Sequence, residues 1–65
     1  MKFYMVYDGR AVYDRDSASV LYCIGKAKKG AAVREFKREY AEMDAVLFEF
    51  DEEEAILTNA KIVEC

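Results

Sequence analysis

The stretch Gly30-Ala-Ala-Val-Arg-Glu-Phe-Lys-Arg-Glu-Tyr-Ala-Glu-Met43 constrains this chain more than any other, because its residues sort into three sectors when wound as a helix. At about 100° per residue, Ala32, Met43, Phe36, Tyr40 and Val33 fall within an arc of roughly 100°, the width of a stripe that faces a core. Arg34, Lys37 and Arg38 occupy one flank, and Glu35, Glu39 and Glu42 the other. A helix over 30–43 must therefore lay its apolar stripe on a partner surface while both charged flanks stay in water.

What precedes it cannot continue the same helix. Val20, Leu21, Ile24 and Ala27 have helical spacing, but on the same wheel Val20, Ile24, Ala27 and Ala31 point roughly opposite to Val33, Phe36, Tyr40 and Met43, so a straight rod could not bury both sets. The pattern predicts a separate first helix, capped by Asp16 or Ser17, and a break between Gly25 and Gly30. Lys26, Lys28 and Lys29 would then sit at its C-terminal end, where cations suit the helix dipole.

The flanking segments read as strands. Lys2 to Tyr7 is rich in aromatic and branched residues, Asp8-Gly9 is a hairpin signal, and Ala11-Val12-Tyr13 offers a short return. Phe3, Met5 and Tyr7 share one face while Tyr4 and Val6 share the other, so this strand is central in a sheet or meets another molecule. Ala45–Phe50 alternates as a strand with Val46, Phe48 and Phe50 on one side. An acidic connection over 51–54 follows, and 55–57 and 61–63 return as strand, with Asn59 marking a bulge or bend. The expected fold is one α+β domain spanning 1–65, in the order β-β-α-α-β-β, with helices packed on one face of a small antiparallel sheet.

Size matters to what such a chain can do. For 65 residues and 7.5 kDa, the scaling of surface with mass gives a folded area of about 4,250 Å², so roughly 61% of the unfolded surface is buried. Nine aromatic rings are many for so small an interior, and some are expected at a surface or at an interface between copies. The longest apolar runs fall far short of the roughly 20 residues of a membrane helix, and the N-terminus lacks the pattern of a signal peptide. A cytoplasmic protein without a membrane partner is expected. Charge is polarised along the chain: residues 1–40 carry nine Lys or Arg against five Asp or Glu, residues 41–65 one Lys against eight acids.

Catalytic chemistry finds little footing. There is no His, no Ser or Cys stands in a nucleophile motif, and no carboxylate pair can be shown to converge. Cys23 among Val20, Leu21 and Ile24 reads as core, and two cysteines make neither a disulfide framework nor a metal site. Asp14 and Asp16 lack the further oxygens of a calcium loop. Gly25-Lys-Ala-Lys-Lys-Gly30 has the glycine spacing of a phosphate loop, but Ala31-Ala32 stands where Lys-Ser or Lys-Thr is required. No enzyme, cofactor or metal is expected.

Two binding surfaces remain. Glu49, Asp51, Glu52, Glu53 and Glu54 on a rigid hairpin, with exposed Tyr4, would suit the basic groove of a protein partner. Lys26, Lys28, Lys29, Arg34, Lys37 and Arg38, with Tyr22 or Tyr4 nearby, would instead suit a nucleotide or nucleic acid, cations meeting phosphate and a ring stacking on a base. Against each stands the plainer reading of a charged face that is merely solvated and an edge guarded against self-pairing.

Around Tyr4-Met-Val-Tyr-Asp-Gly9 and Asp44-Ala-Val-Leu-Phe-Glu-Phe-Asp51, which flank the charged helix, the chain resembles the small α/β accessory proteins of phages and mobile elements. That resemblance implies a stoichiometric binder of a host protein, including inhibitors of bacterial defence systems. The expected function is thus non-enzymatic protein binding, with nucleotide or nucleic-acid binding and structural self-association as the alternatives.

Overall fold

Strand β1 (Lys2–Asp8) lies inside the sheet, with Tyr4 and Val6 buried on one face and Tyr7 on the other. The computed structural model describes residues 1–51 and 56–65. Within them, β1 is followed by 3-10 turns at Gly9–Val12 and Arg15–Ser17, β2 (Val20–Ala27), helix α1 (Lys29–Tyr40), β3 (Ala45–Phe50), a 3-10 turn at Leu57–Asn59, and β4 (Lys61–Glu64). The four strands form one antiparallel sheet in the order β2-β1-β3-β4. The fold is α+β, as expected, but the β-β-α-α-β-β order with two helices is not what forms.

The correction falls on 20–27. Val20, Leu21, Tyr22, Cys23 and Ile24 are β-branched, aromatic or small apolar residues that pack well on a pleated surface, and β1 offers them a ladder. Its register carries two irregularities: Tyr4 faces Gly25 and Met5 faces Cys23, then Val6 faces Tyr22 and Tyr7 faces Val20. Ile24 and Leu21 are thus bulge residues. Each insertion shifts the side-chain alternation by one, which puts Ile24 and Ala27 on the same, helix-covered side. Gly25 sits beside the first bulge with φ of 88°, a conformation that a side chain makes costly.

Nor does Asp8-Gly9 make a tight hairpin. The Asp8 carboxylate accepts from the backbone N–H of Arg10 at 2.9 Å and of Ser19 at 3.0 Å, while the Asp8 N–H donates to the Ser19 carbonyl at 3.0 Å. These bonds close a longer connection, in which Ala11-Val12-Tyr13 is turn and not strand. Asp16 and Ser17 cap no helix; Asp14 accepts from the Asp16 N–H at 3.1 Å and starts the second 3-10 turn.

The helix over 30–43 does form, though it ends at Tyr40. Ala32 and Phe36 are buried against Tyr4, Val6, Ala45 and Leu47, with Ile24, Ala27, Val33, Tyr40 and Val63 around them. Met43 lies beyond the last helical turn and is exposed. The opposite face of the sheet carries Tyr7, Val46, Phe48 and Phe50, covered by Ala11 and Ala60 and flanked by Phe3, Met5, Ala18 and Leu57. Two lids therefore close this sheet, one a helix and one built from connections.

Arg15 holds the second lid. Its guanidinium lies 5.0 Å from the Phe48 ring centroid and donates through Nη1 to the carbonyls of Leu57 at 2.7 Å and Ala60 at 3.0 Å. One planar cation thus joins the 9–19 connection to the 56–60 segment over an aromatic floor.

Candidate interaction surface

The two edges of the sheet differ in kind. β4 is short and carries Lys61 and Glu64, the sort of charged, abbreviated edge that resists pairing with another chain. β2 is twice as long, 8 residues against 4, with no charge from Val20 to Gly25. Among the described residues it pairs with β1 alone, so one row of its backbone donors and acceptors faces outward there. Val20 is 49% exposed, Leu21 40% and Tyr22 44%, and the free thiol of Cys23 is exposed beside them.

Helix α1 borders this strip. The Tyr40 and Tyr22 rings lie 6.1 Å apart, and Phe36 stacks on Tyr40 at the same separation. Partial burial holds the Tyr40 hydroxyl above its ordinary pKa, helped by Tyr22 and by the charges of Glu39 and Glu35. On the other flank Lys37 lies 4.0 Å from Glu64 of β4. Lys37 of the basic flank thus reaches toward β4.

Of the residues expected at an acidic docking hairpin, Tyr4, Glu49 and Asp51 are described. Tyr4 is fully buried, and its hydroxyl donates to Glu49 Oε2 at 2.7 Å. Burial first, then the bond to Glu49 and its charge, raise the Tyr4 pKa to about 12. Tyr4 faces the helix because it is one of the alternating residues on the inner side of a central strand, so it cannot serve a partner. Asp51 accepts from Lys2 Nζ at 2.6 Å; that bond holds its carboxyl below, and the Lys2 ammonium above, their usual ranges. Glu52, Glu53 and Glu54 lie outside the described residues.

The basic set divides as well. Lys26 lies on β2 opposite Phe3. Lys28 and Lys29 stand at the N-terminus of α1, not at the C-terminus of an earlier helix; Lys28 occupies the cap position without a side-chain bond, and no acid follows in the first turn. Arg34, Lys37 and Arg38 are exposed along the helix, Arg38 donating to Glu39 at 2.9 Å. Tyr22 lies on β2, with its ring against Tyr40 of α1.

Cys23, read as core from its apolar neighbours, proves exposed. The residues that sequence reasoning missed here are Val20, Leu21 and Cys23, and the signal was available in an uncharged, β-branched and aromatic run bounded by Ser19 and Gly25. Among the described residues no cluster of His, Cys, Asp and Glu could hold a metal ion, and no helix is long and apolar enough to cross a membrane. Compared with protein-family models, curated proteins and solved structures, the chain finds no match.

Proposed function

We propose that this chain is a non-enzymatic protein-binding module that docks through the open β2 edge. One observation carries the reading: Val20, Leu21, Tyr22 and Cys23 lie exposed along a strand that, among the described residues, has no strand beside it on its outer side. Such an edge offers main-chain hydrogen bonds for affinity and alternate side chains for selectivity. A stoichiometric mode of action on a host protein, as implied by the resemblance to phage and mobile-element accessory proteins, accords with it. The test is capture from a host-cell lysate by the immobilised chain and by Leu21→Lys. The intact chain should retain a protein that the variant releases; equal retention by both overturns the reading.

A second reading rests on α1. Lys28 and Lys29 beside free helix N-terminal donors have the character of an anion site, which supports nucleotide or nucleic-acid binding. A panel of mononucleotides, cyclic nucleotides and short oligonucleotides should then raise the melting temperature. No shift across the panel removes it.

A further inference from the structure

Strands β2 and β4 stand at opposite sides of the sheet, with β1 and β3 between them, yet one side chain ties the segments that lead into both. Arg15 lies in the turn that precedes β2, and the carbonyls it bonds, those of Leu57 and Ala60, lie in the turn that precedes β4. The rest of that junction is thin. Its apolar cover on the aromatic face comes from Ala11, Ala18, Ala60 and Leu57, and alanines bring little area to bury. The Arg15–Ser17 turn closes on its own backbone through a long bond, from the Ala18 N–H to the Arg15 carbonyl at 3.4 Å.

From this junction the chain runs directly into the β2 edge. Ser19 is clamped to Asp8, whose carboxylate accepts its N–H at 3.0 Å and whose own N–H donates to its carbonyl at 3.0 Å. Val20 then pairs with Tyr7, and Leu21 is the inserted residue that follows. We infer that Arg15 is a latch that couples the two edges of the sheet and so regulates the exposed strip on β2. While it holds 57–60, the Ser19 clamp and the bulge at Leu21 stay in place, and Val20 and Leu21 are presented for docking. When it lets go, the start of β2 loosens with it. The coupling stands on these contacts, and its regulatory meaning rests on the edge reading above.

The geometry suits a latch. Both bonds leave from one nitrogen, Nη1, while the guanidinium stays over Phe48, so a single swing of the side chain gives up both carbonyls together. Coupling of this kind is reciprocal. A strand laid on β2 that steadies Val20 and Leu21 tightens the turn at Leu57–Asn59 in return, and loosening that turn weakens the hold on β2.

Residue-resolved hydrogen exchange on the full chain tests this, with one edge perturbed and the other read. Thr58 is exposed in the Leu57–Asn59 turn, and Thr58→Gly loosens that turn without removing a buried group. It should speed exchange of the Ser19 amide about threefold while the amides in the body of α1 keep their rates. Asp8→Ala removes the Ser19 clamp and should speed Asn59 and Ala60 by a similar factor, although their bonds to Ile56 and Leu57 do not involve Asp8. In an Arg15→Lys background neither change should reach the far side. A perturbation that stays on its own edge while Arg15 is intact overturns the latch and leaves the edge reading standing. Crossing that persists undiminished in Arg15→Lys overturns Arg15 as the tie. The edge reading falls separately, on equal capture by the intact chain and Leu21→Lys, whatever the exchange rates show.

Discussion

Tyr4 and Glu49 show how one pair of side chains ties stability to pH. The phenol is buried under α1, and its bond to Glu49 is made only by the protonated form. The folded state therefore keeps this proton up to about pH 12, whereas an unfolded tyrosine releases it near 10.0. Across that window the folded chain binds more protons than the unfolded one, so stability is full below it and falls as pH rises through it. Burial raises Tyr7 in the same direction. Denaturant melts at stepped alkaline pH should show this loss, and Tyr4→Phe should flatten it. At neutral pH that variant should cost about 1–2 kcal/mol, because Glu49 loses its donor.

Arg15 and Gly9 act by shape. Arg15→Lys keeps the charge but cannot bond two carbonyls from one plane over Phe48, so urea denaturation should show a loss of about 1–3 kcal/mol. At Gly9 an added Cβ would lie 1.8 Å from Asp44 Oδ1, much closer than atoms can approach. Gly9→Ala must displace the Asp44 side chain. Its cost should shrink by about 1 kcal/mol in an Asp44→Ala background, a coupling that a double-mutant cycle reads directly.

At the scale of elements, the helix cap is left unfilled. Lys28 has the extended backbone of an N-cap, φ −77° and ψ 146°, but no side chain that can accept a hydrogen bond, and its charge opposes the helix dipole. Lys28→Asp should stabilise the fold by about 1 kcal/mol in thermal or urea melts.

Strands β1 and β3 and the body of α1 were legible because their periods are clean. Tyr4 and Val6 alternate with Phe3, Met5 and Tyr7, and Ala32, Val33, Phe36 and Tyr40 recur at helical spacing. β2 was not, and its bulges are the reason. With Leu21 and Ile24 inserted, the interval between core-facing Ile24 and Ala27 becomes three, which imitates a helix. Pattern reasoning assumes an unbroken period and has no term for an inserted residue. The candidate surface was lost with the strand, since a helix there would have placed Cys23 and Leu21 differently. Tyr4 misled for another reason: its exposure depends on which strand lies at the edge, and that order follows from pairings distant in sequence.

For the whole molecule, neither half of the charge pattern stays with its own half of the chain. Lys2 pairs with Asp51 and Lys37 approaches Glu64, so folding brings basic N-terminal residues against acidic C-terminal ones.

The unequal lids over the sheet carry a last consequence, for how the molecule breathes. On one side the cover is a twelve-residue helix with its own hydrogen-bond ladder; on the other it is short turns held by Asp8, Ser19 and the guanidinium of Arg15. The turns can lift as a unit without unravelling α1, which makes them a foldon of lower free energy than the rest. In native-state exchange the amides of Ala18, Ser19, Asn59 and Ala60 should open together and ahead of those in α1, and Arg15→Lys should merge their rates with the solvent-exposed baseline while leaving the helix protected.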